Sequence, residues 1–263
     1  ATVAWMAEQG PWDPSNTGVG FESTEAGYRL DGQAHHVIDG RSAELLIVAA
    51  RQRGSEGREG VGLFAVDPDS AGVTRRAVST MDSSRQRAVV DFSGVRLDKQ
   101  ASLADADVGY GVLRRGLDLA CVALSAEQVG IAERCLAMAV EYAGVRQQFG
   151  RPIGSFQAIK HKCADMLVAV ESARSASYWA GWTAAERPQE LALAASLAQS
   201  DCSDAAFLCA AENIQIHGGI GFTWEHDAHL YFKRARSNAA LLGTATWHRA
   251  RVADLIDLSG EGA

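Results

Sequence analysis

The pattern of hydrophobic and polar positions changes near residue 103. Before that point, short apolar stretches alternate with polar residues and predict strands, because successive side chains of a strand point to opposite faces. Asp31-Gly32 and Asp39-Gly40 are dipeptides typical of turns, and residues 11–20 and 53–60 are rich in loop-forming residues. The predicted strands are 2–6, 28–30, 36–38, 45–49, 61–66, 73–78 and 88–92. Seven strands without intervening helices predict a small antiparallel β-barrel or sandwich.

After residue 103 the apolar positions recur with the helical period of 3.6. A first long helix is expected to end before Gly150, and a second to run from about 156 to near Pro188. A third, alanine-rich helix covers 191–216, and a fourth covers 226–258, with Gly243 as a candidate interruption. Long helices with short connections predict an up-and-down four-helix bundle. The fold class is therefore α+β, with a β domain at 1–102 and a helical domain at 103–263.

Composition narrows the class of protein. The chain has 263 residues, of which 47% are hydrophobic and 22% charged, so a packed core is expected. A formal net charge of −7 argues against binding to nucleic acids or anionic membranes by the chain as a whole. The five cysteines are scattered through apolar helical segments, which predicts free thiols in a reducing compartment. We therefore expect a cytoplasmic protein, and the absence of an initiator methionine indicates a fragment or the ordered part of a longer chain.

The segment Gln215-Ile216-His217-Gly218-Gly219-Ile220-Gly221-Phe222 joins two predicted helices. Gly218 and Gly219 can adopt positive φ and let a ligand approach the main chain, and the next helix, expected near 224–226, would add its positive end. These features suit a phosphate. The alternative is an ordinary helix stop.

A second segment with candidate chemistry lies between the first two predicted helices. Arg146 offers a guanidinium for phosphate, Phe149 an aromatic face for a base, and Gln148 and Gln157 amides for hydrogen bonds. A dinucleotide needs these groups. The alternative is a helix C-terminus with favourable basic residues and a break at Gly150-Arg151-Pro152.

Together the two segments resemble the acyl-CoA dehydrogenase flavoprotein family, and the resemblance covers nearly the whole chain as that family's middle and C-terminal domains. It implies FAD, an acyl-CoA substrate of lipid metabolism, α,β-dehydrogenation and an electron-acceptor protein. It also implies a dimer or tetramer in which the cofactor site lies at a subunit interface. The implied cofactor-binding residues are Arg146, Gln148, Phe149, Gln157, Gln215, Gly218 and Gly219.

Three departures from the family pattern accompany the resemblance. The family's general base is a glutamate at one of two positions, where this chain has Leu242 and Ala120. Glu127 lies roughly 10 Å from Ala120 along the same helix by helical rise. Where the family has a tryptophan and a threonine facing the flavin, the chain reads His36-Val37-Ile38, and the family's N-terminal helical domain is absent.

Three functional hypotheses remain open. The chain is the partner without a base in a heteromeric dehydrogenase, a non-catalytic subunit for assembly or ligand binding, or a homomeric enzyme with Glu127 as a relocated base. No catalytic residue is assigned. No metal site is predicted, because His35 and His36 point to opposite faces of a strand and His226 with His229 lack a third ligand.

Overall fold

The computed structural model describes residues 1–257. By their internal contacts they form two compact units, Ala1–Gly116 and a second unit from Leu117 onwards. The longest helix begins in the first unit and continues into the second, so the domain boundary at 102/103 stays a prediction. Within residues 1–257, no helix is long and apolar enough to cross a membrane.

Strands dominate the first unit, and their bounds follow from apolar runs between turns. A two-stranded hairpin occurs later, in the second unit. The strands of residues 1–257 are β1 Thr2–Ala4, β2 Val19–Ser23, β3 Gly27–Ile38, β4 Leu46–Gln52, β5 Val61–Val66, β6 Val73–Val78, β7 Arg87–Asp98, β8 Ser102–Ala104, β9 Gln147–Gln148 and β10 Arg151–Pro152.

The first eight strands form one sheet in the order β6-β7-β3-β2-β4-β5-β8, with β1 paired to β4. Most neighbours are antiparallel as predicted, but β1 and β2 both run parallel to β4, so the sheet is mixed. Hydrophobic alternation predicts which residues face the core, not the direction of the neighbouring strand. Leu30, Leu46, Val48, Phe64 and Val90 are almost inaccessible to solvent and pack in its main apolar cluster.

Several predictions on this unit were wrong, and the strands predicted at 28–30 and 36–38 are parts of one strand, β3. Asp31-Gly32 is not a turn: both residues lie inside β3, where a register shift between Leu30 and Gly32 and a φ of +130° at Gly32 accommodate the glycine. The predicted loop 11–20 ends too late, because Val19 and Gly20 already belong to β2, whose Val19 and Phe21 are buried on one face.

The helices of the second unit follow the predicted order. The α-helices of residues 1–257 are α1 Gly109–Val145, α2 Gln157–Glu186, α3 Leu191–His217, α4 Ala228–Ala240 and α5 Ala245–Leu255. The predicted fourth helix is two helices, interrupted at residues 241–244 around Gly243; its predicted last residue, Leu258, lies outside the described residues. The α+β fold class is confirmed.

Helix α3 is the centre of the second unit and packs against α2, α4 and α5. Its alanines allow this close approach, and Ala194, Ala198, Ala206 and Ala210 are fully buried. All five cysteines lie in this unit; four are buried and Cys163 is half-buried.

Burial keeps these thiols protonated. It raises the pKa of Cys135, Cys202 and Cys209 to about 12. The thiol of Cys202 donates to the carbonyl of Ala173 on α2 at 3.3 Å. These thiols therefore act as small apolar core residues.

Candidate functional site

The segment after α1 is a tight hairpin. Helix α1 ends at Val145, β9 and β10 pair with Gln148 opposite Arg151, and the Ile153 amide donates to the Arg146 carbonyl at 2.8 Å. Phe149 and Gly150 form the two-residue turn with φ of +54° and +78°. Two successive positive φ values are typical of a type I′ turn.

Phe149 occupies the left-handed region although that region favours glycine or asparagine over a bulky side chain. Its ring is 92% exposed and meets Phe156 edge to face with ring centroids 6.1 Å apart. The guanidinium carbon of Arg151 lies 4.1 Å from the Phe156 ring centroid. A strained, exposed aromatic ring contributes little to the core, which indicates a contact with a ligand or another chain.

The predicted polar groups of this segment face solvent. Arg146, Gln148 and Gln157 are exposed, and Gln157 is the first residue of α2, directly after Phe156. The Phe149–Phe156 contact therefore brings the hairpin and the start of α2 together.

The glycine-rich segment begins where α3 ends. His217 is the last residue of α3, Gly218 has a φ of +63°, and residues Gly218–Phe222 form a 3-10 helix. Gly219 does not adopt positive φ, so that prediction holds for Gly218 alone. A Cβ at Gly218 or Gly219 would meet no atom within 4 Å, so a ligand can reach the main chain there.

The following helix starts later than predicted, at Ala228. Residues 223–227 form turns, in which His226 accepts a hydrogen bond from the Ala228 amide at 3.1 Å. The positive end of α4 is therefore displaced along the chain from Gly218.

A stacked pair of rings joins the two segments, and a third ring lies tilted against it. The Tyr142 ring, one turn before Arg146, stacks on His217 at 4.3 Å with an interplanar angle of 23°. The His226 ring also contacts His217, with ring centroids 4.3 Å apart. Because Gly218 follows His217 directly, the stack holds the hairpin and the glycine-rich segment at one end of the unit.

Burial of His217 favours its neutral form. Its Nδ1 donates to the Asn213 carbonyl at 2.8 Å, since a carbonyl oxygen can only accept. Burial lowers the pKa of His217; the hydrogen bond to Asn213 raises it in part, and His226 lowers it further. A groove of about 310 Å³ beside the stack is lined by Arg134, Met138, Glu141, Tyr142, Val145, His217, Glu225, His226 and Asp227.

Neither position where the sequence comparison places the family's base, Leu242 or Ala120, carries an acid. Leu242 is half-buried and packs with the apolar cluster of Cys121, Leu191 and Ala195, and Cys121 follows Ala120 directly. Leu242 has a φ of +61°, and its carbonyl accepts from His248 Nε2 at 3.0 Å. The turn is thus strained and held in place, and it carries an aliphatic side chain where the sequence comparison expects the family's glutamate.

The carboxylate nearest to Ala120 in sequence is engaged in an ion pair. Asp118 is 4% exposed and accepts two hydrogen bonds from Arg251, at 2.6 and 2.9 Å. Arg251 also donates to the Ser196 hydroxyl at 3.1 Å. This bidentate pair ties α1, α3 and α5 together, so Asp118 has a structural partner.

Glu127 is also engaged. Its Oε1 accepts from Asn238 Nδ2 at 2.8 Å, and Arg234 Nε lies 3.7 Å away. Asn238 is fully buried. These contacts join α1 to α4, so the Glu127 carboxylate has structural partners.

The remaining candidates lie in separate places. Ile38, the last residue of β3, is half-buried, and its carbonyl accepts from the Thr2 hydroxyl at 2.6 Å. His36 has a φ of +55° at the second register shift of β3. His229 packs against Trp224. Among the described residues, no group of three His, Cys, Asp or Glu side chains is arranged to hold a metal ion.

Sequence reasoning missed three features of this unit. Tyr142 and His217 stand inside the two predicted motifs, but no pattern signalled that they stack. The positive φ at Leu242 was indicated in the sequence only by the neighbouring Gly243. The Asp118–Arg251 pair joins residues more than a hundred positions apart, and no sequence pattern predicted it.

Comparison with known proteins bears on both units. The family model for the acyl-CoA dehydrogenase C-terminal domain matches residues 107–256. Acyl-CoA dehydrogenase IpdE2 of Mycobacterium tuberculosis is 54% identical over 125 residues, which are 48% of this chain and 37% of that protein. Acyl-CoA dehydrogenase FadE27 of the same organism is 30% identical over 258 residues, covering 95% of this chain and 65% of that protein.

A solved structure of the same family has a similar fold. Butyryl-CoA dehydrogenase from Megasphaera elsdenii superposes with a TM-score of 0.92 at 27% identity, covering 97% of this chain and 67% of that chain. The chain thus spans between about a third and two thirds of the length of these proteins. The family model covers more than half of the chain, and the chain belongs to the acyl-CoA dehydrogenase family.

Proposed function

We propose that this chain is a subunit of an FAD-dependent acyl-CoA dehydrogenase, which catalyses α,β-dehydrogenation of an acyl-CoA thioester, and that another chain supplies the catalytic base. The observation that carries the second half of this proposal is Leu242. Its aliphatic side chain, at the position where the family's glutamate is expected, packs against the cluster that contains Cys121 and Leu191. No proton can be taken up there.

The exposed groups of the second unit fit FAD. Arg146 offers a positive charge to a pyrophosphate, the open main chain at Gly218 and Gly219 offers amide donors, and the exposed Phe149 ring offers a stacking surface. Gln148, Gln157 and Gln215 are exposed and can hydrogen-bond. FAD, when bound, supplies the hydride acceptor for the β-carbon.

The same exposure supports an oligomer. Phe149, Phe222 and Trp224 are 92%, 74% and 84% exposed, and large exposed aromatic rings are characteristic of surfaces that another molecule covers. We propose that the FAD held by these loops belongs to the site of a neighbouring subunit. An electron-acceptor protein would regenerate the oxidised cofactor.

The chain's own contribution near the substrate is to exclude water. The cluster around Leu242 surrounds the place of the missing carboxylate with apolar side chains. A dry environment raises the basicity of a carboxylate brought there by a partner, because burial disfavours its charged form.

Co-expression with a glutamate-bearing family member tests this proposal. We expect a yellow hetero-oligomer by absorption spectroscopy and native mass spectrometry, with dehydrogenase activity only when both chains are present. Full activity of this chain alone would refute the need for a partner. A colourless assembly that does not take up FAD would favour the non-catalytic alternative.

A pair of variants tests the cofactor loops in that assembly. Arg146→Gln removes the proposed phosphate contact, and Arg96→Gln removes an exposed arginine of β7 as a matched control. We expect FAD affinity to fall about tenfold or more in the first variant, as for the loss of a charge-assisted hydrogen bond, and to be unchanged in the second. Equal affinities would exclude Arg146 from the site.

A further inference from the structure

A second concave polar site lies in the first unit, beside the turn between β6 and β7. It encloses about 300 Å³. Three arginines line it, Arg41, Arg85 and Arg87, together with the hydroxyls of Ser79 and Ser83. No carboxylate of residues 1–257 lines this cavity.

One wall of the cavity is a turn held by a guanidinium. Arg75 donates to the carbonyls of Arg41 and Ala43 at 2.9 and 3.1 Å and pairs with Asp69 at 3.2 Å. The backbone that carries Arg41 is therefore fixed, while its side chain is exposed.

The opposite wall is held by Asp82, which is 3% exposed. Asp82 accepts from the Ser84 amide at 3.0 Å, and the Thr80 hydroxyl donates to its carbonyl at 2.8 Å. Both walls of the cavity are thus fixed by contacts within the first unit. A site fixed before binding loses less conformational entropy when a ligand binds.

Several donors on these walls are available to a ligand. Within residues 1–257, the side chains of Arg41, Ser79 and Ser83 make no hydrogen bond or ion pair. Arg85 and Arg87 are half-buried, have contacts of their own and add positive charge next to these donors. Guanidinium and hydroxyl donors around a concave surface are the groups that bind a phosphate, and arginine does so bidentately.

We propose that this cavity binds a phosphate group, with Arg41, Ser79 and Ser83 as direct donors and Arg85 and Arg87 as the local positive field. The volume accommodates a phosphate together with part of the molecule that carries it. The ligand is either free phosphate or a phosphate monoester such as the 3′-phosphate of coenzyme A. The coenzyme A alternative rests on the proposed function; the phosphate site itself does not.

Amide NMR titration of the whole chain with inorganic phosphate tests the site. We expect the signals of Arg41, Ser79 and Ser83 to shift, and Arg41→Gln to weaken phosphate binding about tenfold. Arg76→Gln is the matched control, because Arg76 is exposed on the same β6 strand but does not line the cavity. Unmoved signals, or equal weakening in both variants, would overturn the proposal.

Coenzyme A and 3′-dephospho-coenzyme A identify the source of the phosphate. If only coenzyme A shifts these three signals, the site belongs to the 3′-phosphate. If neither does while inorganic phosphate still binds, the site takes free phosphate. The titration needs no FAD and no partner chain, so failure of the proposed function would leave its result interpretable.

Discussion

Tyr142 of α1 stacks on His217 of α3 with ring centroids 4.3 Å apart and nearly parallel planes. Arg146 lies one helical turn after Tyr142, and Gly218 directly follows His217. A packing contact inside the bundle thereby fixes two loops that are far apart in sequence. The candidate cofactor loops depend on it for their relative position.

Burial of His217 makes the stability of the protein dependent on pH. Burial lowers the pKa of His217 below its usual value of 6.5. As the pH falls through 6.5, the unfolded chain therefore binds more protons than the folded chain. The free energy of unfolding should be highest above pH 6.5 and decrease as the pH falls towards the folded-state pKa. His217→Phe, which keeps a ring beside Tyr142, should make this decrease shallower.

Urea denaturation between pH 5 and 8 measures the effect, with exposed His161→Gln as the control expected to match the wild type. Burial lowers the pKa of His36 too, so a residual slope in the same direction should remain in His217→Phe. A wild-type slope in that variant would show that His217 does not titrate with folding.

Phe149→Asn should stabilise the protein while weakening FAD binding. A left-handed conformation costs about 1–2 kcal/mol for an ordinary residue and less for asparagine, and Phe149 is 92% exposed. After loss of the edge contact with Phe156, we expect a net gain of about 0.5–1 kcal/mol. Phe222→Asn is the control, because Phe222 is exposed without positive φ and should bring no gain. Chemical denaturation measures the first effect, and flavin fluorescence the second.

Glu127→Gln should leave turnover of the flavin-loaded assembly unchanged. The carboxylate contacts Asn238 and Arg234, so we expect a loss of stability of about 0.5–1 kcal/mol instead. Glu133→Gln, which breaks the exposed pair with Arg174, should cost less. A large fall in kcat for Glu127→Gln alone would restore the hypothesis of a relocated base.

The Asp118–Arg251 pair should be a major contribution to the stability of the second unit. Asp118→Asn leaves a largely buried guanidinium without its charge partner, and such losses cost about 3–5 kcal/mol. The exposed pair of Arg249 and Asp204, which also starts on α5, provides the control; Asp204→Asn should cost less than about 1 kcal/mol. Similar losses in both variants would mean that burial does not strengthen the Asp118 pair.

Local patterns predicted the bounds of several elements well. The bounds of β5 and β6 were predicted correctly, as was the interruption around Gly243. The turn predicted at Asp31-Gly32 was wrong because a register shift accommodates this dipeptide inside β3 without reversing the chain. Hydrophobic alternation does not depend on the direction of the neighbouring strand, so it could not predict the parallel pairing of β2 with β4.

The candidate site was predictable only as two separate segments. Glycines and an arginine near helix ends indicated phosphate chemistry, because their conformational freedom and charge are local properties. The type I′ hairpin around Phe149 contradicts local preference, so its turn conformation could not be predicted. The stack of Tyr142 on His217 and the arrangement of Leu242 against Cys121 arise from packing across helices.

The positions of the cysteines allow opening of the helical unit to be measured by thiol reactivity. All five thiols belong to the helical unit, and the β unit has none. With pKa values of about 12, three of them carry almost no thiolate at neutral pH while the bundle is closed. The rate at which a thiol reagent alkylates Cys135, Cys202 and Cys209 would therefore measure how often the helices separate, whereas the half-buried Cys163 can react without such opening.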